Sequence, residues 1–113
     1  RGAQRQNSHW DDVRGAVMRA AAARAVETPA CIGLDSIRTA IIAEDAATIA
    51  VPVFLGLGER DVSPDPHAEA ACFAGCRDFT LYILPRSAHC QSFAGTRHLF
   101  WNRMDGWIKS LAP

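Results

Sequence analysis

Two short apolar runs limit what this chain can fold into. Val51-Pro52-Val53-Phe54-Leu55-Gly56-Leu57 and Phe79-Thr80-Leu81-Tyr82-Ile83-Leu84 are continuous rather than alternating. A strand with one wet face alternates, whereas a continuous run suits a parallel strand covered on both faces. The interval between them carries the punctuation of one helix. Asp65 is placed to be its N-cap and Pro66 its first helical residue; the helix runs to about Ala74, and Gly75 closes it as a left-handed cap. Strand, helix, strand is a crossover between parallel strands, right-handed in nearly all cases. Pro52 fits only a strand's start or edge, the two glycines after Leu55 lead out of the first strand, and Pro85 stops the second.

Parallel strands place their C-terminal loops at one end of the sheet. Asp61 follows the first run and His89 the second. A carboxylate and an imidazole on consecutive strand-end loops have the chemistry of a proton relay, in which the acid fixes the ring's tautomer and the ring moves a proton. Glu59 is a rival acid, but it lies closer to the strand and reads as solvated or packed beside Arg60; Asp78 reads as a turn residue. The front half of such a relay would be a Gly-x-Ser-x-Gly turn. Ser8, Ser36, Ser63, Ser87, Ser92 and Ser110 all lack flanking glycines at that spacing, and Ser87 shares the loop of His89.

The stretch from Val51 to Asp61, with its Gly56-Leu57-Gly58-Glu59-Arg60-Asp61 exit, resembles the penultimate strand and acid loop of the α/β-hydrolase family. Ile83-Leu84-Pro85-Arg86-Ser87-Ala88-His89 resembles that family's last strand and histidine loop, and Phe93 with the tryptophan-containing terminal helix is similar to its closing helix. The resemblance spans Ile49 to Leu111. It implies an α/β fold in which 49–113 is the C-terminal βαβ-α portion of an α/β-hydrolase sheet, and 1–48 a helical cap or connecting segment. It implies Asp61 as the acid and His89 as the base of a Ser-Asp-His triad acting on a small ester-like substrate, with no metal or organic cofactor. The family carries its nucleophile on earlier strands, which this chain does not match.

Two strands bury little and leave two open edges, so the chain reads as incomplete on its own. The missing strands are expected upstream, in another chain, or through self-association. A start at Arg1 in a polar run, without an initiator methionine or signal peptide, reads as a piece of something longer. The competing reading is a non-catalytic fragment or pseudoenzyme whose role is binding or assembly.

The remaining sequence predicts helices. Ser8-His9-Trp10-Asp11 has capping-box-like spacing ahead of an Ala- and Arg-rich helix from Asp11 to Val26, whose modest apolar face is Val13, Val17, Ala20 and Ala21; Thr28-Pro29 ends it. A short helix from Asp35 or Ser36 carries Ile37, Ile41 and Ile42, and Glu44 to Ile49 is a turn or helical end. The last helix, about Thr96 to Leu111, buries a stripe of Phe100, Met104, Trp107, Ile108 and Leu111, with Trp101 in or beside the core.

Twelve basic residues balance twelve acidic ones with no basic patch, which argues against nucleic acid or an anionic membrane surface as partner. No apolar run approaches the roughly 20 residues of a membrane span. Cys31, Cys72, Cys76 and Cys90 lack the density of a disulfide scaffold; reduced, packed thiols predict a cytoplasmic setting. Cys72 and Cys76 share a face if their helix lasts that far and could be drawn with His89 and Cys90 as a zinc set, but packing is the better reading. Cys90 adjoins His89, and adjacent side chains rarely align for proton transfer, so it too reads as packing. His9, His67 and His98 read as plain surface residues.

Overall fold

A computed structural model describes residues 8–27, 29 and 41–111. In chain order it contains helix α1 (Gly15–Ala23), helix α2 (Ala43–Ala47), strand β1 (Val53–Arg60), helix α3 (Pro66–Ala71), strand β2 (Phe79–Ala88), a 3-10 turn (Gln91–Phe93) and helix α4 (Arg97–Ser110). The chain is therefore a mixed α/β protein. β1 and β2 pair in parallel, with Val53 opposite Phe79 and Leu57 opposite Ile83. The parallel pairing is the arrangement the two apolar runs predict. Cys31, Ser36 and Ile37, with the helix expected to start at Asp35 or Ser36, lie outside the described residues.

α3 begins as expected. Asp65 accepts hydrogen bonds from the backbone N–H groups of His67 and Ala68, both at 3.0 Å, and Pro66 takes the first helical position. It ends at Ala71 rather than Ala74, so Cys72 and Cys76 do not share a helix face. Gly75 is not left-handed; no glycine described here has positive φ. Its missing side chain instead allows a close approach, since a Cβ there would lie 2.4 Å from the Ala47 carbonyl oxygen.

Both strands outrun their predicted ends. β1 continues through Gly56 and Gly58 to Arg60, and β2 continues through Pro85 to Ala88. The register explains how. Gly58 pairs with Leu84 but Arg60 pairs with Ala88, so Pro85, Arg86 and Ser87 bulge opposite Glu59. Proline is harmless there because the bulge removes it from the ladder. Arg86 sits at φ 52°, a left-handed conformation costly for a side-chain-bearing residue. Glu59 braces it: its carboxylate accepts the Arg86 backbone N–H at 2.8 Å. Glu59 is thus exposed, as expected, and also braces the bulge.

α4 lies against one sheet face. Phe54 meets Phe100 edge-on at 6.0 Å and Trp107 at 5.5 Å, while Tyr82 lies 6.2 Å from Phe100. Phe100, Met104 and Trp107 are half-buried, but Ile108, Leu111 and Trp101 are exposed, contrary to the expected stripe. Among the described residues two strands form the sheet, and the far turns of α4 have no third strand to cover. The buried apolar residues are Ala46, Leu84, Ala88 and Ala94, mostly where the bulge meets the start of α4. No described helix is long and apolar enough to cross a membrane.

α1 is shorter than predicted, spanning Gly15–Ala23 without a side-chain cap. His9–Asp12 is non-helical, and tertiary bonds hold it and its neighbour: Asp11 pairs with Arg60, Asp12 with Arg86, and the Ser8 carbonyl accepts the Cys90 N–H. Long-range partners here override local helix propensity.

Candidate active site

Asp61 follows β1 directly and His89 follows β2 directly, so the parallel pairing brings both to one end of the sheet. His89 Nδ1 lies 2.7 Å from Asp61 Oδ1. The Asp61 side chain is only 1% exposed, whereas that of His89 is 56% exposed. An acid buried behind a half-open imidazole matches the order a relay needs.

The carboxylate is held from four sides. Oδ1 accepts the Val62 backbone N–H at 2.7 Å as well as His89, and Oδ2 accepts the Gly58 N–H at 2.7 Å and Gln91 Nε2 at 3.2 Å. These donors satisfy the oxygens of a buried carboxylate and offset the cost of taking it out of water. An ionised carboxylate has only acceptors, so the neutral ring carries its proton on Nδ1. Nε2 then bears the lone pair, and it has no hydrogen-bond partner among the described residues. Sequence reading missed Gln91, whose role becomes visible only once the 3-10 turn curls it back over the acid.

The described serines Ser63, Ser87, Ser92 and Ser110 are not paired with the imidazole. Ser87 is fully buried and its hydroxyl donates to the Ala88 carbonyl at 3.0 Å. Ser63 has a buried hydroxyl without a partner, and Ser110 donates to the Trp107 carbonyl at 2.6 Å. Neither these nor Ser92 hydrogen-bonds the imidazole. Ser36 lies outside the described residues.

Comparison with family models, with curated proteins and with solved structures gives no match.

The described cysteines, Cys72, Cys76 and Cys90, do not gather into a ligand set. Cys72 Sγ reaches the Ala68 carbonyl at 3.4 Å, and Cys76 Sγ reaches the carbonyls of Val51 and Asp78 at 3.2 Å. Among the described residues no three His, Cys, Asp or Glu side chains converge as a metal site requires. Cys90 is half-buried; burial, and then the nearby Asp61 charge, push its thiol above the ordinary value. A raised thiol stays protonated at neutral pH and is a poor nucleophile. Iodoacetamide should accordingly alkylate Cys90 more slowly than N-acetylcysteine at pH 7.5, the rate rising only in more alkaline buffer. A rate equal to that of N-acetylcysteine at pH 7.5 would restore Cys90 as a nucleophile.

His67 and His98 are exposed, as read from sequence, but His9 is half-buried with its ring 5.6 Å from that of Phe93. With Trp10, Asp11, Val13 and Met18 it lines a cleft of about 390 Å³. His89 does not line that cleft.

Proposed function

We propose that this chain supplies the acid and base of a serine-type α/β-hydrolase acting on a small ester-like substrate, the nucleophile coming from a segment outside it. One observation carries the reading: a buried, four-times hydrogen-bonded carboxylate 2.7 Å from the Nδ1 of a half-exposed imidazole. In this mechanism His89 Nε2 takes the proton of the incoming serine hydroxyl as its oxygen attacks the ester carbonyl. Asp61 stabilises the imidazolium that forms. The tetrahedral intermediate then collapses, the ester C–O bond breaks, and the leaving alkoxide takes the proton from Nε2 as an alcohol. Water repeats the sequence on the acyl-serine, releasing the carboxylic acid and restoring the serine. No cofactor takes part in these steps.

A second reading rests on the exposed apolar side chains, among them Val51, Ile83, Trp101 and Ile108, and on sheet edges that no described strand pairs. These favour a binding or assembly role in which a partner or a second copy covers the surface. Expressing the chain with the coding sequence immediately upstream of Arg1 separates the two. The first reading expects hydrolysis of p-nitrophenyl acetate and covalent labelling of an upstream serine by a fluorophosphonate. An extended protein with neither activity nor labelled serine leaves the second reading in place.

A further inference from the structure

The stretch Ser8–Asp12 touches both loops of the pair. On the acid side, the Arg60 guanidinium lies 4.0 Å over the Trp10 ring and forks onto Asp11 at 3.3 and 3.4 Å. Arg60 is the residue before Asp61. On the histidine side, the Cys90 backbone N–H donates to the Ser8 carbonyl at 2.8 Å, and the His9 ring rests against Phe93. Cys90 is the residue after His89. Asp12 adds an ion pair to Arg86 at 3.7 Å, and its carboxylate packs so closely on Gly95 that a Cβ there would fall 2.5 Å from Oδ2.

We propose that Ser8–Asp12 is a clamp across the acid and histidine loops, and that Trp10 is the positioning residue that holds Asp61 at hydrogen-bonding distance from His89. Asp11 is 79% exposed, and an ion pair with so open a partner contributes little by itself. The stacked ring confines the Arg60 guanidinium to one plane, and a guanidinium on an aromatic face gains both attraction and packing. The backbone bond from Cys90 to Ser8 then ties the other loop to the same five residues, so neither loop moves without straining the clamp. The inference rests on the relay reading for its functional meaning.

The test needs no nucleophile, because it reads the pair itself. In the wild-type chain, NMR should find the His89 ring protonated on Nδ1, with that proton exchanging slowly with water. Trp10→Ala should speed its exchange roughly tenfold while amide exchange along the β1–β2 ladder stays unchanged. Trp10→Phe, which keeps a stacking face, should restore most of the protection. A wild-type rate in Trp10→Ala overturns the clamp. If Trp10→Ala also loosens the ladder, Arg60→Gln, which removes the stacked guanidinium and leaves Trp10 in place, decides: faster exchange at His89 with an intact ladder supports the clamp, and an unchanged rate overturns it. A wild-type ring without a proton on Nδ1 would instead remove the relay reading, and the clamp with it.

Discussion

Replacing His89 by alanine should abolish catalysis without disturbing the fold. With the nucleophile-bearing segment present, ester hydrolysis should fall on the order of 10⁴- to 10⁶-fold. The ring is half-exposed, and its removal leaves Asp61 with three donors, from Gly58, Val62 and Gln91. The melting temperature should therefore stay near that of the wild type. Asp61→Asn should behave differently. Oδ1 faces the Val62 N–H and His89, while Oδ2 faces the Gly58 N–H and Gln91. An asparagine has one acceptor and one donor, so whichever way it turns, its NH₂ meets a backbone N–H. Pointed at His89, it also forces the proton onto Nε2 and leaves no base there. The expected result is a rate loss of about 10⁴-fold together with about 1–3 kcal/mol of lost stability from an unpaired buried donor. kcat/KM and thermal unfolding of the two variants give both readouts. Wild-type turnover in His89→Ala would sink the assignment.

How much of this was legible in the sequence differs between the strands and the segments that pack on them. The parallel pair, the Asp65–Pro66 helix start and the convergence of Asp61 with His89 follow from local composition, because buried apolar runs and caps act over a few residues. What escaped was set by contacts distant in sequence. Pro85 would stop a regular strand, yet a bulge braced by Glu59 carries β2 past it. Asp11 and Asp12 are expected from the sequence to open the first helix, yet they pair with Arg60 and Arg86 and the helix starts only at Gly15. The stripe on α4 is periodic over its whole length, but periodicity marks a face able to be buried, not one that finds a partner. Ile108 and Leu111 extend that face without cover from any described strand.

The most damaging change to the fold should be Gly58→Ala. A Cβ at this position would stand 2.5 Å from the Ala88 carbonyl oxygen, 2.7 Å from its carbon and 2.9 Å from the Ser87 oxygen. These are backbone atoms of a buried stretch, so no side chain can swing aside to relieve them. Either β2 moves away from β1 or the bulge is rebuilt. Both displace the residue after Ala88, which is His89, and both disturb the Gly58 N–H that Asp61 accepts. Overpacking of this kind costs about 2–3 kcal/mol. In a chain of this size that is a fall of roughly 10–20 °C in melting temperature. The slowly exchanging His89 Nδ1 proton should disappear with it. Gly106→Ala is the control: it lies in α4 with nothing within 4 Å of its added carbon, and should stabilise by up to about 1 kcal/mol through helix propensity. The contrast isolates close backbone approach from the general effect of losing a glycine. If Gly58→Ala melts with the wild type and keeps the His89 proton, the strands do not meet at the bulge as closely as the site requires.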